Sequence, residues 1–220
     1  MTVEIRRGSI RFVDRVAGRA TWHAFSFGEH YDAERLRFGS MVCHDEHLLA
    51  QGHGFEAHPH EELEIVTWVL SGAVTHHDSL GSVTTLRPGQ VGHLTAGSGV
   101  THSEVAAAPQ TRFVQVWLTP DEPAREPAYT VEEPSLTPGA LVPVLRPTAT
   151  SVMSVARLAE GQSVTVPAAA RRHVYVAAGA LLRSSLAEPL ERGDAFLVDG
   201  EGDLALAAAV PTELLVWQLA

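Results

Sequence analysis

The chain has 220 residues, 45% of them hydrophobic, and a formal net charge of −10 at pH 7. This length and composition can bury one large core or two smaller ones, which excludes a disordered chain. The acidic balance, with no basic run longer than a pair, argues against nucleic acid as a direct partner.

The first residues, MTVEIRRGSIRFVDRV, lack the apolar run of a secretion signal, and nowhere do about 18 apolar residues stand together as a membrane-spanning helix requires. We therefore expect a cytoplasmic protein with no membrane partner. Cys43 is the single cysteine, which excludes an intrachain disulfide and any zinc site with two thiolates. Lysine is absent, which removes Schiff-base chemistry. Histidine, carboxylate, hydroxyl and metal chemistry remain.

Histidines are concentrated early in the chain, with eleven of the twelve at or before position 102. The stretch GFEAHPHEELEIVTW (54–68) places His58 and His60 one residue apart at the edge of a predicted strand. Side chains alternate across a strand, so both histidines point the same way, and the proline between them fits a strand end. The pair is either a two-pronged metal clamp or a surface pair bonded to backbone and water.

A second pair follows in GVTHSE, where His102 and Glu104 also share one face of a short predicted strand. Three neutral imidazoles and one carboxylate suit Fe, Mn, Co, Ni, Cu or Zn, and in an octahedron they leave open positions. Open positions are typical of a catalytic metal site. Two other features point elsewhere: we expect Cys43 to be a lone buried cysteine, and His76-His77, between Gly72 and Asp78, to form a solvated hairpin.

Short apolar runs cut by Gly, Pro, Asp and Ser occupy both halves of the chain and predict β-sandwiches or barrels. Seven of the thirteen prolines lie between Pro120 and Pro147, which indicates a connector. The two halves also align loosely: 87–118 lies on 190–219, and TWVLSGAV (67–74) lies on VYVAAGAL (174–181). The sequence therefore predicts an all-β tandem duplication, in which the counterparts of the ligand pairs carry no metal-binding set.

Four segments resemble the pirin family of the cupin superfamily: WHAFSFGEHYD, HPHEELEIVTWVLSG, HHDSLGS and PGQVGHLTAGSGVTHSE. The resemblance is strong over the first 120 residues and weaker beyond. It implies two tandem cupin (jelly-roll) β-barrels: a metal-binding barrel over 1–120, a Pro-rich connector over 121–150 and a barrel without metal ligands over 151–220. The family's ligand set falls on His58, His60, His102 and Glu104.

Pirins are similar to quercetin 2,3-dioxygenases, which implies a metal-dependent enzyme that cleaves flavonols with O2 and releases carbon monoxide and a depside. We expect one divalent transition metal per chain, with Fe(II) first and Ni, Mn, Co, Cu or Zn as alternatives. Glu104 would also act catalytically by accepting the proton of the flavonol hydroxyl. The alternative implied by the family is a non-enzymatic metal- or redox-sensing regulator that binds protein partners.

The sequence departs from the family pattern around the proposed pocket. Glu56 and Glu61 flank the HPH motif where the family commonly has glycine and a basic residue, and His93 stands where a large apolar side chain is usual. We expect these changes to alter the pocket mouth. Glu64 lies where many other cupins place a ligand carboxylate, and we assign it instead to orienting a histidine by a hydrogen bond.

Overall fold

A computed structural model describes residues 2–183, 188–200 and 202–220. In these residues the chain is nearly all β, which confirms the predicted class. The strands are β1 Thr2–Arg6, β2 Phe12–Val16, β3 Arg19–His23, β4 Met41–Leu49, β5 Gly54–His60, β6 Glu64–Ser71, β7 Val74–Asp78, β8 Val83–Leu86, β9 Val91–Thr95, β10 Val100–Ala106, β11 Thr111–Leu118, β12 Ala128–Glu132, β13 Leu141–Thr148, β14 Ser151–Leu158, β15 Ser163–Val166, β16 Arg171–Ala178, β17 Ala195–Asp199, β18 Leu204–Ala207 and β19 Thr212–Leu219. One 3-10 turn covers Gly8–Ile10.

The chain divides into two compact units, and their bounds differ from the predicted domains. The N-terminal unit is Phe12–Pro134, and the C-terminal unit combines the residues up to Arg11 with Ser135–Ala220. The difference has a structural reason: β1 pairs with β17 of the C-terminal unit, whereas β12, inside the predicted connector, pairs with β9 of the N-terminal unit. Such pairings join residues far apart in sequence, so local composition does not reveal them.

The N-terminal unit is a two-sheet sandwich. A seven-stranded sheet has the order β12-β9-β6-β11-β4-β3-β2, and a four-stranded sheet has the order β5-β10-β7-β8. Its main core cluster takes Val69 and Phe113 from the larger sheet and Val74 and Ala106 from the smaller one, so the sheets pack face to face. In the central strand β6, EIVTWVLS, the first six side chains are buried. The β-branched and aromatic residues of this strand fit its burial on both faces.

The C-terminal unit has a six-stranded sheet, β1-β17-β16-β19-β14-β13, and a two-stranded sheet, β15-β18. The predicted duplication has a counterpart in local structure. Gly72 and Gly179 both have positive φ, and an added Cβ would meet Thr111 or Thr212 respectively. In each unit that threonine hydroxyl accepts the N–H of the residue after the glycine, at 3.1 Å. The two units therefore build this corner in the same way.

In the described part of the chain, no helix has the length and apolar character that crossing a membrane requires.

Candidate metal centre

The three predicted histidine ligands meet because β5 and β10 pair in a particular register. His102 lies opposite His58, and Val100 lies opposite His60. Directly paired residues share one face of the sheet, which brings their side chains close together. The register then shifts, so that Glu104 lies opposite Phe55. This bulge locally redirects the strand at the candidate centre, a place where bulges are common.

The imidazoles of His58, His60 and His102 form a compact triangle. Their ring centroids are 4.8 Å apart for His58 and His60, 4.6 Å for His58 and His102, and 5.0 Å for His60 and His102. One nitrogen of each ring lies within 4.8 Å of a nitrogen of the other two. Three ligand atoms this close can converge on one ion.

The protonation and hydrogen bonding of the ring nitrogens in this triangle suit the binding of a metal ion. His58 Nδ1 donates to the carbonyl oxygen of Glu56 at 2.6 Å, which leaves Nε2 as an acceptor. The Nε2 atoms of His60 and His102 are buried and have no hydrogen-bond partner among the described residues. Burial, together with the neighbouring His58, lowers the pKa of His60 to about 4 and that of His102 to about 3. Neutral imidazoles with buried lone pairs are the form that binds a transition metal.

Glu104 is buried and tightly held. Its Oε2 accepts the Gln115 amide N–H at 2.7 Å, and its Oε1 accepts the Thr67 hydroxyl at 3.4 Å. Trp117 Nε1 donates to Gln115 Oε1 at 2.9 Å and so fixes the amide. Burial raises the pKa of Glu104 to about 7, although the hydrogen bonds from Gln115 and Thr67 oppose this.

The four predicted side chains fall into two sets that share His102. One is the histidine triangle, and the other combines His102 and Glu104 with His76. The ligand atoms of the second set also lie within 4.8 Å of one another. His102 thus connects the histidine triangle to Glu104, and the second set adds His76, which was not among the predicted ligands.

A cavity of about 360 Å³ adjoins the centre within the N-terminal unit, with His58 and Glu104 in its lining. Phe27, Phe55 and Trp117 supply aromatic surface, and Glu56, one of the departures from the family pattern, also lines the cavity. A larger groove of about 740 Å³ lies elsewhere on this unit, and the described residues that line it include neither a histidine nor an acidic residue. The smaller cavity is therefore the candidate for substrate binding.

Another part of the cavity lining is polar and rich in ionisable groups. His23 Nδ1 lies 2.7 Å from Asp45 Oδ2, and His23 Nε2 lies 3.2 Å from Asp14 Oδ2. Burial lowers the pKa of His23, but the hydrogen bonds and charges of Asp45 and Asp14 outweigh it and raise the pKa overall. His47, bonded to Thr21 at 2.9 Å, completes this polar lining.

Sequence reasoning missed these polar residues. The signal available was the strand MVCHDEHLL, where charged and imidazole side chains interrupt an apolar strand that is almost wholly buried. Because side chains alternate across a strand, the run places Asp45 and His47 on one face, and both line the cavity. Gln115, in TRFVQVWL, is a similar single interruption.

The expectation of a solvated hairpin at His76-His77 is wrong for His76. His77 is exposed, but His76 is 1% exposed, stacks on Tyr129 with centroids 3.7 Å apart, and bonds to Asp78. The reason is tertiary: β12 brings Tyr129 over the ring. Cys43 is a free buried thiol, as predicted, and burial raises its pKa well above the ordinary value.

Glu64 belongs to a network apart from the histidine triangle. Its fully buried carboxylate accepts hydrogen bonds from His93 Nε2 and from the Thr95 hydroxyl, both at 2.7 Å. Arg125 lies 3.2 Å from the other carboxylate oxygen. Glu64 does bond to a histidine, but that histidine is His93, which is not one of the proposed metal ligands. The contact therefore does not give Glu64 the expected role of orienting a metal ligand.

Comparisons with known proteins agree with the fold. Residues 6–118, which include the whole candidate centre, match the Pirin family model. A Mycobacterium bovis protein named "Putative quercetin 2,3-dioxygenase Mb0187c" is 34% identical over 99% of this chain and 95% of its own. The crystal structure of the Escherichia coli bacterial pirin YhhW in complex with nickel(II) has a TM-score of 0.90 at 24% identity, covering 99% of each chain.

A quercetin 2,3-dioxygenase structure from Acinetobacter baumannii has a TM-score of 0.76 at 19% identity, over 98% of this chain and 78% of that one. The two structural likenesses establish the cupin fold. The family match covers half of the chain, and the mycobacterial relative aligns along nearly its whole length. This chain therefore belongs to the pirin family.

Proposed function

We propose that this pirin is a metal-dependent dioxygenase that cleaves flavonols with O2. The observation that carries the proposal is the triangle of neutral imidazoles beside a buried carboxylate, next to a cavity with aromatic walls. The relatives named as quercetin 2,3-dioxygenases support the reaction class. The nickel(II) complex of YhhW supports a divalent metal.

His58, His60 and His102 would hold the ion through their Nε2 atoms, with Glu104 as the fourth ligand. Fe(II) is the first choice, and Ni, Mn, Co, Cu or Zn could replace it according to supply, because this donor set suits all of them. When bound, the metal would lower the pKa of a coordinated hydroxyl and supply the electronic partner for dioxygen chemistry. The chain's own side chains would supply orientation and proton transfer.

The cavity suits a flat aromatic substrate. Its volume of about 360 Å³ falls in the range of roughly 300–1,000 Å³ that is usual for small-molecule sites. Phe27 and Trp117 contact each other edge to face, with centroids 5.4 Å apart, and offer rigid apolar surface for ring contacts. On the polar side, the carboxylates of Asp14 and Asp45 have further lone pairs that can accept hydrogen bonds from substrate hydroxyls. A polyhydroxylated aromatic molecule matches both kinds of lining.

Glu104 would take the proton from the substrate hydroxyl. In the metal-free chain burial raises the pKa of Glu104 to about 7. A bound divalent ion would lower that pKa, so Glu104 would accept the proton where it is bound only loosely to the metal. The bonds from Gln115 and Thr67 hold the carboxylate in place, so that it does not need to reorganise as the proton moves.

The test is loss of the near-ultraviolet absorbance of quercetin together with carbon monoxide release, in air and under nitrogen. Protein loaded with iron, nickel, manganese, cobalt or copper is compared with each free metal. We expect oxygen-dependent quercetin loss that tracks metal loading. Glu104→Gln should lose more turnover than metal, since the amide is a poor proton acceptor. The matched control is Glu64→Gln, which removes a buried carboxylate bonded to a histidine outside the triangle.

If every loading gives no more oxygen-dependent loss than the free metal, flavonol cleavage is refuted. A regulator that binds protein partners, or another substrate, would then replace it.

A further inference from the structure

A buried chain of hydrogen-bonded side chains, called the relay below, runs from His102 through His76 to Asp78. His102 Nδ1 lies 3.4 Å from His76 Nδ1, and His76 Nε2 lies 2.9 Å from Asp78 Oδ2. The His76 and Asp78 side chains are 1% and 0% exposed, and His102 is 2% exposed. The relay therefore links one proposed metal ligand to a carboxylate without contact with bulk water.

The relay follows from the pairing of β7 with β10. His102 is opposite Asp78, and Glu104 is opposite His76, so the two i,i+2 pairs face the same side of the sheet. The His76 ring is also clamped by Tyr129, which stacks on it at an interplanar angle of 7°. His76 therefore cannot turn away from His102 without losing this stacking and its bond to Asp78.

The donors and acceptors of the relay fix where its protons lie. Asp78 Oδ1 accepts the backbone N–H groups of Leu80 and Ser82, each at 2.9 Å, and Oδ2 accepts from His76 Nε2. A neutral imidazole has one N–H and one lone pair. His76 Nδ1 must then be an acceptor, so His102 Nδ1 carries a proton and His102 Nε2 carries the lone pair. That Nε2 is the buried atom without a hydrogen-bond partner.

We infer that Asp78 and His76 are positioning residues that hold His102 in the Nδ1–H tautomer, with its Nε2 lone pair directed at the metal. The inference rests on the proposed metal centre. His58 is held in the same tautomer by a simpler device, the carbonyl oxygen of Glu56. Partners that orient a ligand histidine typically change metal affinity by about 10–100-fold when removed.

The test is Asp78→Asn. The asparagine Oδ1 can still accept from Leu80 and Ser82, but its amide now donates to His76 Nε2. The direction of both hydrogen bonds in the relay would reverse, so that His76 Nδ1 would donate to His102 Nδ1. His102 would then carry its proton on Nε2, the atom whose lone pair the metal needs. Histidine ¹H–¹⁵N correlation spectra of the metal-free protein at pH 8, well above the ordinary histidine pKa of about 6.5, report the tautomer directly.

We expect the His102 proton on Nδ1 in the parent protein and on Nε2 in Asp78→Asn, with about 10–100-fold weaker Ni²⁺ binding by titration calorimetry. The matched control is Glu64→Gln, which alters another buried carboxylate–histidine pair and should leave the His102 tautomer and Ni²⁺ affinity unchanged.

A parent protein with the His102 proton on Nε2 would overturn the inference, and this result is independent of whether the variant folds. An unchanged tautomer in folded Asp78→Asn would overturn it as well. So would a shift of His76 Nδ1 to the metal-bound range on adding Zn²⁺, because His76 would then be a ligand. Failure of the parent protein to bind any metal would refute the proposed centre, and the tautomer would still decide the relay.

Discussion

Replacing the buried His47 with asparagine should change how the stability of the N-terminal unit depends on pH. His47 is 3% exposed, lies between Phe55 and Phe113 with ring centroids 4.9 and 4.8 Å away, and bonds to Thr21. Burial, aided by the charges of His23 and Arg19, lowers its pKa to about 3. In the unfolded chain the pKa returns to about 6.5.

The direction of the effect follows from these two values. Between pH values of about 3 and about 6.5, the unfolded chain binds a proton at His47 that the folded chain does not. The contribution of buried, neutral His47 to the free energy of unfolding is therefore fully present above a pH of about 6.5 and declines as the pH falls. At pH 5, about 1.5 pH units below the unfolded pKa, the loss is about 2 kcal/mol, at about 1.36 kcal/mol per unit.

The assay is urea unfolding of the metal-free protein at pH 8 and pH 5, followed by tryptophan fluorescence. Three of the four tryptophans (22, 68 and 117) lie in the N-terminal unit, so the signal reports mainly on that unit. Loss of the ring in His47→Asn will lower the free energy of unfolding by the same amount at both pH values. Between the two pH values, however, the parent protein should lose about 2 kcal/mol more than the variant. Equal losses in the two proteins would refute the reasoning.

Three further predictions follow from the structure. Alanine at His58, His60 or His102 should sharply lower the metal occupancy measured by mass spectrometry, whereas Glu64→Gln should keep most of the metal. If Glu64→Gln lost the metal while Glu104→Gln kept it, the roles of the two carboxylates would be the reverse of those proposed. The parent protein should hold one ion per chain, and two tightly bound ions would contradict a C-terminal unit without a metal site. Thr111→Val and Thr212→Val should each cost about 1–3 kcal/mol in urea unfolding, because each removes the acceptor of a backbone N–H that is buried at Ala73 and partly buried at Ala180. A cost for only one of them would contradict the equivalence of the two corners.

The two candidate ligand pairs could be proposed from the sequence because alternation along a strand is local. His58 and His60, like His102 and Glu104, needed only the period of two to be placed on one face. Their convergence depends on the β5–β10 register and its bulge, which no local pattern contains. The family resemblance supplied that step for the sequence analysis.

His76 shows why the rest of the site could not be predicted. Gly72, two adjacent histidines and Asp78 read locally as a polar turn. The ring is buried because Tyr129, in a segment assigned to a connector, covers it. The alternation of side-chain types in AYTVE is the sequence signal for β12, but the surrounding prolines favoured the prediction of a connector.

The buried polar wall of the cavity was hidden for a related reason. Asp45 and His47 alternate with other polar residues in β4, and their burial depends on β3, which brings His23 and Thr21 alongside. A polar strand face is exposed or buried according to its partner, and the partner lies elsewhere in the sequence.

The central claim is that His58, His60 and His102 bind one metal ion in the N-terminal unit. Anomalous diffraction at the metal absorption edge, from crystals of Ni²⁺-loaded protein, tests it most directly. We predict one strong peak about 2.0–2.1 Å from the Nε2 atoms of all three histidines, the distance at which imidazole binds the comparable divalent ion Zn²⁺. A peak on His76 instead of His58 and His60, a peak in the C-terminal unit, or no peak in the histidine triangle would contradict the account.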